Sequence, residues 1–421
     1  METKYLSDYK KSALLFILIF TSYSLVYMTK NCYSAAMASI VNEGIMTKSQ
    51  TGLIAAVFYL LYAPFQIIGG IAADKYSPKL LLTIGYLGAS IANLLVYLFH
   101  TNYVAMIIIW GFNAIIQFGI WPSVFKIVAS FLAVEHRTKG IFLLSFCSTI
   151  GLFLSYLLAI FISDWKNHFL FSSLVLFLLT IIVYISYTIL EKYMHTEEPL
   201  PDTQIEIPDN TAKISKSGTI RLMLISGLPI FLIINLISTM LSLGVKALSP
   251  VMLMESYAGI TPGIASALNI ILILAGPIGL FISKLHIFRR FDYPKSIAIF
   301  LFLSIPSLVA IVFVGELSVF FVLLALTLLT ISTGALGIFF SYISNTFEHY
   351  GCVATITGLL NCMASLGLML TNYVFPKIAD EMGWKFTATC WLILNIISFV
   401  LVLISIPIWK RFVKKINQDN I

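Results

Sequence analysis

Tyr23-Ser-Leu-Val-Tyr27-Met-Thr-Lys30-Asn31-Cys-Tyr-Ser34-Ala-Ala-Met37 lies inside an apolar run that extends from about Ser12 to about Val41. A run of that length crosses a bilayer with room for tilt. Near its middle sits a lysine. Tyr23, Tyr27, Lys30, Ser34 and Met37 recur at helical spacing and share one face. A charge at the centre of a membrane helix costs about 3 kcal/mol on insertion scales, so it is expected to face a bundle interior or a wet cavity. Lys30 stands about 18 Å of helix from Asn42, beyond the reach of a snorkelling stem. The alternative to a functional lysine here is a structural bond to backbone carbonyls.

The rest of the chain has the same character. Of its 421 residues 59% are hydrophobic and 11% charged, and the mean hydropathy is +0.96. That composition excludes a soluble globular protein. The first segment is too long for a cleavable signal, and no small-residue cleavage site follows it. The net charge of +7 is explained by loop topology rather than by nucleic acid. Cys32, Cys147, Cys352, Cys362 and Cys390 lack metal-ligand spacing and read as core residues, so no metal or cofactor is expected. No phosphate-cradling glycine loop, metal cluster or catalytic triad is visible, which argues against an enzyme and against an ATP-driven pump.

Twelve spans are expected, making an all-α membrane protein. They run from about 12 to 41, 51 to 73, 80 to 100, 103 to 132, 141 to 162 and 169 to 190, then 222 to 253, 262 to 284, 296 to 314, 319 to 346, 353 to 376 and 387 to 408. The hydrophilic stretch 191–221, with its Glu-Glu-Pro-Leu-Pro-Asp run, reads as a linker between six-helix halves 1–190 and 222–421. Lysine and arginine set the orientation. Lys4, Lys10, Lys11, Lys75, Lys79, Arg137, Lys139, Lys192, Lys213, Lys216, Arg221, Arg289, Arg290, Lys295, Lys410, Arg411, Lys414 and Lys415 fall in one set of loops. Only Lys48, Lys166, Lys377 and Lys385 fall in the other, so both termini are expected in the cytoplasm of a plasma-membrane protein. The halves echo each other: Gly70 to Lys75 against Gly279 to Lys284, Trp165 against Trp384, Lys30 against Lys246. Two similar halves around a midplane site is a common transporter plan.

Gly70-x-x-x-Asp74-Lys75-x-Ser77-x-Lys79 resembles the loop between helices 2 and 3 of the major facilitator superfamily, with Ser77 where the family pattern has glycine. Gly70 would permit close helix approach, and Asp74 would pair with a cation or cap a neighbouring helix, contacts that hold one conformation and release in another. A narrower resemblance rests on Lys30-Asn31 with Ala36-Met37, on Gln117-x-x-x-Trp121-Pro122-x-x-x-Lys126, and on Trp165 and Trp384. These are similar to the organophosphate:phosphate antiporters, which exchange glycerol 3-phosphate or hexose phosphates for inorganic phosphate and include a hexose-phosphate receptor that signals to a kinase. That resemblance implies a phosphate grip from a first-helix Arg-Lys-Asn, a seventh-helix arginine and a helix 5 histidine. This chain has Thr29, Ser242 and Ser148 at or near the three departing positions and keeps Lys30, with Lys246 one turn beyond Ser242. A lysine is a point charge where arginine offers a planar fork.

Lys246 shares a stripe with Asn235, Ser238, Ser242 and Ser249, on a helix expected to break at Gly244 and Pro250. Lys126 lies about 10 Å from its helix end and nearly reaches the surface. Other candidate lining groups are Asn113, Gln117 and Trp121 on the fourth span, Tyr59, Tyr62 and Gln66 on the second, and Asn361, Ser365 and Asn372 on the eleventh. The row Thr330, Thr333, Gly337, Ser341, Ser344 suits close packing on the tenth. No Asp, Glu or His lies deep in any span, although proton-coupled carriers usually keep such a relay. The expectation is a monomeric carrier of a small anion, working by alternating access and exchanging it for a counter-anion. Two lysines, one from each half, would bind that anion. A neutral or zwitterionic solute, and a transporter-like sensor, are the alternatives.

Overall fold

In a computed structural model the chain is helical almost throughout. The structure describes residues 4–5, 9–128, 132, 139–141, 143–144, 146–193, 195–196, 216–283, 292–347, 350 and 353–419. Ten helices run in order: α1 Tyr9–Asn42, α2 Lys48–Lys75, α3 Pro78–Phe99, α4 Tyr103–Lys126, α5 Cys147–Phe161, α6 Lys166–Glu191, α7 Leu228–Ser256, α8 Pro262–Ser283, α9 Tyr293–Val312 and α10 Val319–Asn345. A last helical stretch, Val353–Asp419, holds a non-helical residue at Gly383 (φ 79°, ψ 173°), a backbone that L side chains rarely adopt. Splitting there gives α11 (353–382) and α12 (384–419), so that twelve helices in this series lie among the described residues. The expected loop between residues 376 and 387 is thus one residue, with α11 running on through Pro376. Strand structure among the described residues is a two-residue antiparallel pairing of Lys4–Tyr5 with His195–Thr196, register Lys4 to Thr196.

Helix ends follow local chemistry. Thr47 and Gln50 form a capping box at the start of α2. Ser77 caps α3, its hydroxyl accepting the Leu80 amide at 3.3 Å, with Pro78 at the first helical position. A cap is a physical reason for serine to stand where the superfamily pattern has glycine. The seventh span starts later than expected, at Leu228. Left-handed Gly227 separates it from a short helix, Lys216–Ile225. Most of the expected linker lies outside the described residues.

The chain divides into two compact units, Met1–Ile205 with Pro262–Ile270, and Glu206–Thr261 with Ile271–Ile421. In the first, Leu15, Ile19, Leu82, Val124, Ile127 and Leu176 are fully buried in one core. In the second, Leu228, Phe231, Ile297, Leu301, Ile343 and Phe347 do the same. Backbones meet where glycines allow it. A Cβ on Gly69 of α2 would fall 1.8 Å from the Phe118 carbonyl oxygen of α4, and one on Gly279 of α8 would fall 2.0 Å from that of Ile331 on α10. Large apolar side chains such as Ile108, Phe161, Leu178 and Phe320 remain exposed, as a lipid-facing belt requires.

Candidate anion site

The first unit gathers much of the predicted lining around Lys30. Its ammonium stands 3.8 Å from the Tyr62 ring centre, 5.2 Å from Phe58, 5.6 Å from Tyr27 and 5.9 Å from Tyr59. Among the described residues no carboxylate or hydrogen-bond acceptor reaches it. Ring faces attract a cation by about 0.5–2 kcal/mol, against about 1.5–3 kcal/mol for a charged hydrogen bond. An anionic group placed there would compete with a weaker partner than a salt bridge.

Helical spacing builds the wall. On α1, Tyr23 stacks on Trp121 of α4 (5.5 Å, 25°) and meets Tyr27 edge-on, its hydroxyl donating to the Tyr27 oxygen at 3.4 Å. On α4 the helix is interrupted between Ile116 and Ile120. The interruption lies just before Trp121 and Pro122. The Gln117 amide nitrogen donates to the Asn113 oxygen at 2.8 Å. Buried Asn113 Nδ2 has no partner among the described residues. Tyr23, Val26, Tyr27, Lys30, Tyr62, Gln117, Ile120 and Trp121 line one cavity.

Other candidates lie elsewhere. Asn31 donates its amide to the Tyr27 carbonyl of its own helix at 2.7 Å. Asn361 is exposed and Ser242 half-buried. Lys126 does not run out to the surface: its ammonium donates to the Ala73 carbonyl at 2.5 Å, in the last turn of α2. There it supplies a donor and a positive charge where a helix carries orphan carbonyls. The close-approach role expected of Gly70 belongs to its neighbour. A Cβ on Gly70 meets nothing within 4 Å, whereas Gly69 touches backbone. Lys75 is exposed, Lys79 pairs with Glu191 at 2.9 Å, and the Asp74 side chain lies outside the described residues.

Lys246 is buried in the second unit. Its helix does not break at Gly244 or Pro250. A π-helical turn, Met240–Gly244, is inserted and the helix continues through the proline. That turn changes the angular register, so the stripe from Asn235 to Ser249 is not straight. Asn235 is turned to α11 and donates to the Leu360 carbonyl at 2.7 Å. Thr330 and Thr333 bond back to Leu326 and Leu329 of their own helix, in keeping with a packing row.

Sequence reading passed over Phe58, four residues before Tyr62 on the same face, and the partners of the two tryptophans. Trp165 donates its indole N–H to Glu43 at 3.0 Å, and Trp384 donates to Glu255 at 2.7 Å. Each ties the start of a sixth helix to the end of a first. The pairs also give the register between halves. Lys30 lies thirteen residues before Glu43 and Lys246 nine before Glu255, so by that register Ser242, not Lys246, is the counterpart of Lys30.

Residues 19–370 match the Major Facilitator Superfamily. The chain belongs to that superfamily. It is similar to the membrane sensor protein UhpC of Salmonella typhimurium (33% identical over 101 residues, 24% of this chain and 23% of the relative). It is similar to a probable hexose phosphate transport protein of Chlamydia trachomatis (24% over 123 residues, 29% of this chain and 27% of the relative). Sugar phosphate exchanger 3 of Xenopus laevis is 26% identical over 176 residues, 34% of this chain and 35% of the relative. The chain thus aligns with about a quarter to a third of those relatives' length. A solved bacterial homolog of the human lysosomal transporter Spinster has the same fold, with a TM-score of 0.74 at 14% identity, covering 96% of this chain and 99% of that one. The major facilitator fold, in a multi-pass membrane protein, is that of transporters.

Proposed function

We propose that this transporter carries a small anionic metabolite, of the organophosphate or carboxylate type, by alternating access and in exchange for a second anion. The supporting observation is Lys30: a half-buried ammonium in a lined cavity, resting on ring faces, with no carboxylate partner among the described residues. The names of the relatives favour a sugar phosphate within that class. An empty site leaves a charge in a low-dielectric interior, which disfavours the unloaded crossing and favours exchange. In proteoliposomes, uptake of a labelled hexose phosphate should require an anion trapped inside and respond little to an imposed pH gradient. Accumulation driven by a proton gradient alone would overturn exchange.

The lysine and arginine bias supports cytoplasmic termini in a plasma membrane and two six-helix halves joined by the 191–221 linker. Single cysteines introduced in that linker should label only from the cytoplasmic side; labelling from outside would reverse the orientation. A second reading, a membrane sensor, is favoured by the likeness to UhpC. Retained anion binding with no uptake in the same proteoliposomes would select it.

A further inference from the structure

In the second unit, Gly276 of α8 faces Lys246 of α7. A Cβ built on Gly276 would stand 3.3 Å from the Lys246 Nζ and 3.8 Å from the Thr330 Cγ2 of α10. The ammonium therefore lies against bare helix backbone, in space that any other residue would enter. Two further features mark this turn of α8. A Cβ on Gly334 of α10 would fall 2.5 Å from the Gly276 carbonyl oxygen, so the two backbones are in contact there. The next residue, Pro277, has no amide and leaves the carbonyl one turn earlier without its helical donor. The site is thus narrow, rich in backbone and open on the side from which a lysine arrives.

We propose that Gly276 is a positioning residue for Lys246. Its missing side chain fixes where the ammonium stands, with Thr330 closing the other side, and so sets the strength with which Lys246 meets an anion. The inference rests on the reading that the transported solute is an anion to which Lys246 contributes. A lysine stem has four rotatable bonds, and a seat that restricts them lowers the ordering cost at binding. Gly276 itself touches no substrate and acts through Lys246.

The test is a size series, Gly276→Ala and Gly276→Val, in purified protein, with binding of a hexose phosphate and exchange kinetics as readouts. Alanine meets only the flexible end of a lysine and should weaken binding about two- to threefold. Valine should weaken it about tenfold, raising KM while leaving the turnover rate within about twofold. In a Lys246→Gln background the valine should add nothing, because the group it displaces is gone. If Gly276→Val lowers the yield of folded protein, Thr330→Ile crowds the same space from α10 and should raise KM in the same way. A loss that persists undiminished in the Lys246→Gln background overturns the inference, as does unchanged binding in Gly276→Val. If Lys246→Gln alone binds like the parent, the role of Lys246 falls and its seat with it. Loss of binding in Lys246→Gln with none in the Gly276 series removes the seat and leaves the anion reading intact.

Discussion

Lys30→Gln should lower affinity for a hexose phosphate about ten- to a hundredfold, the loss of one hydrogen bond to a charged partner. The same variant should be no less stable than the parent when empty. Glutamine relieves an insertion cost of about 3 kcal/mol and gives up a ring-face attraction of about 2 kcal/mol or less. A ligand-binding lysine and a structural one thus differ in sign. If Lys30 tied the helices together, the empty variant would melt earlier and binding would follow stability. Thermal shift with and without ligand reads both quantities. Lys246→Gln should also weaken binding, and the double variant separates one shared ligand, with a cost below the sum, from two independent effects. Lys126→Gln is the control. Its ammonium is engaged with the Ala73 carbonyl, so affinity should stay within about twofold. Parental affinity in Lys30→Gln would remove the anion assignment and leave the carrier fold untouched.

Gly69→Ala and Gly70→Ala should move stability in opposite directions. At Gly69 the new methyl falls 1.8 Å from the Phe118 oxygen and 2.7 Å from its carbon. Both are backbone atoms of α4, so no side chain can rotate away and the two helices must part. Overpacking typically costs 1–3 kcal/mol, and with backbone as the obstacle about 3 kcal/mol or more is expected. Parting α2 from α4 also separates Tyr62 from Gln117, so surviving protein should bind the proposed anion poorly. At Gly70 the methyl enters open space, and alanine gains about 1 kcal/mol of helix propensity. Melting of detergent-solubilised variants decides the matter, and equal behaviour of the two would contradict the α2–α4 contact.

Bilayer-length apolar runs and helical spacing made the helices and the Lys30 face legible from residue types alone. Both depend on one residue and its near neighbours in the chain. What escaped depends on distant backbone. Gly69 and Gly70 are indistinguishable in sequence, and only the α4 carbonyl beside one of them assigns the close approach. The π turn at Met240–Gly244 carries no composition signal, yet it rotates everything after it relative to Asn235. Lys126 resembled a snorkelling cation because the Ala73 carbonyl that accepts it lies 53 residues earlier in the chain.

The two tryptophan–glutamate ties have an implication for the history of the chain. Glu43 and Trp165 are separated by 122 residues, Glu255 and Trp384 by 129, a difference of seven. The four helices and their connections between the two fastenings therefore differ by seven residues in total between the halves. An ancestral duplication leaves such a trace when the frame is held at its corners and the segments between drift by insertion. No constant offset then maps one half on the other, and a register counted back from the two glutamates pairs Lys30 with Ser242 rather than with Lys246.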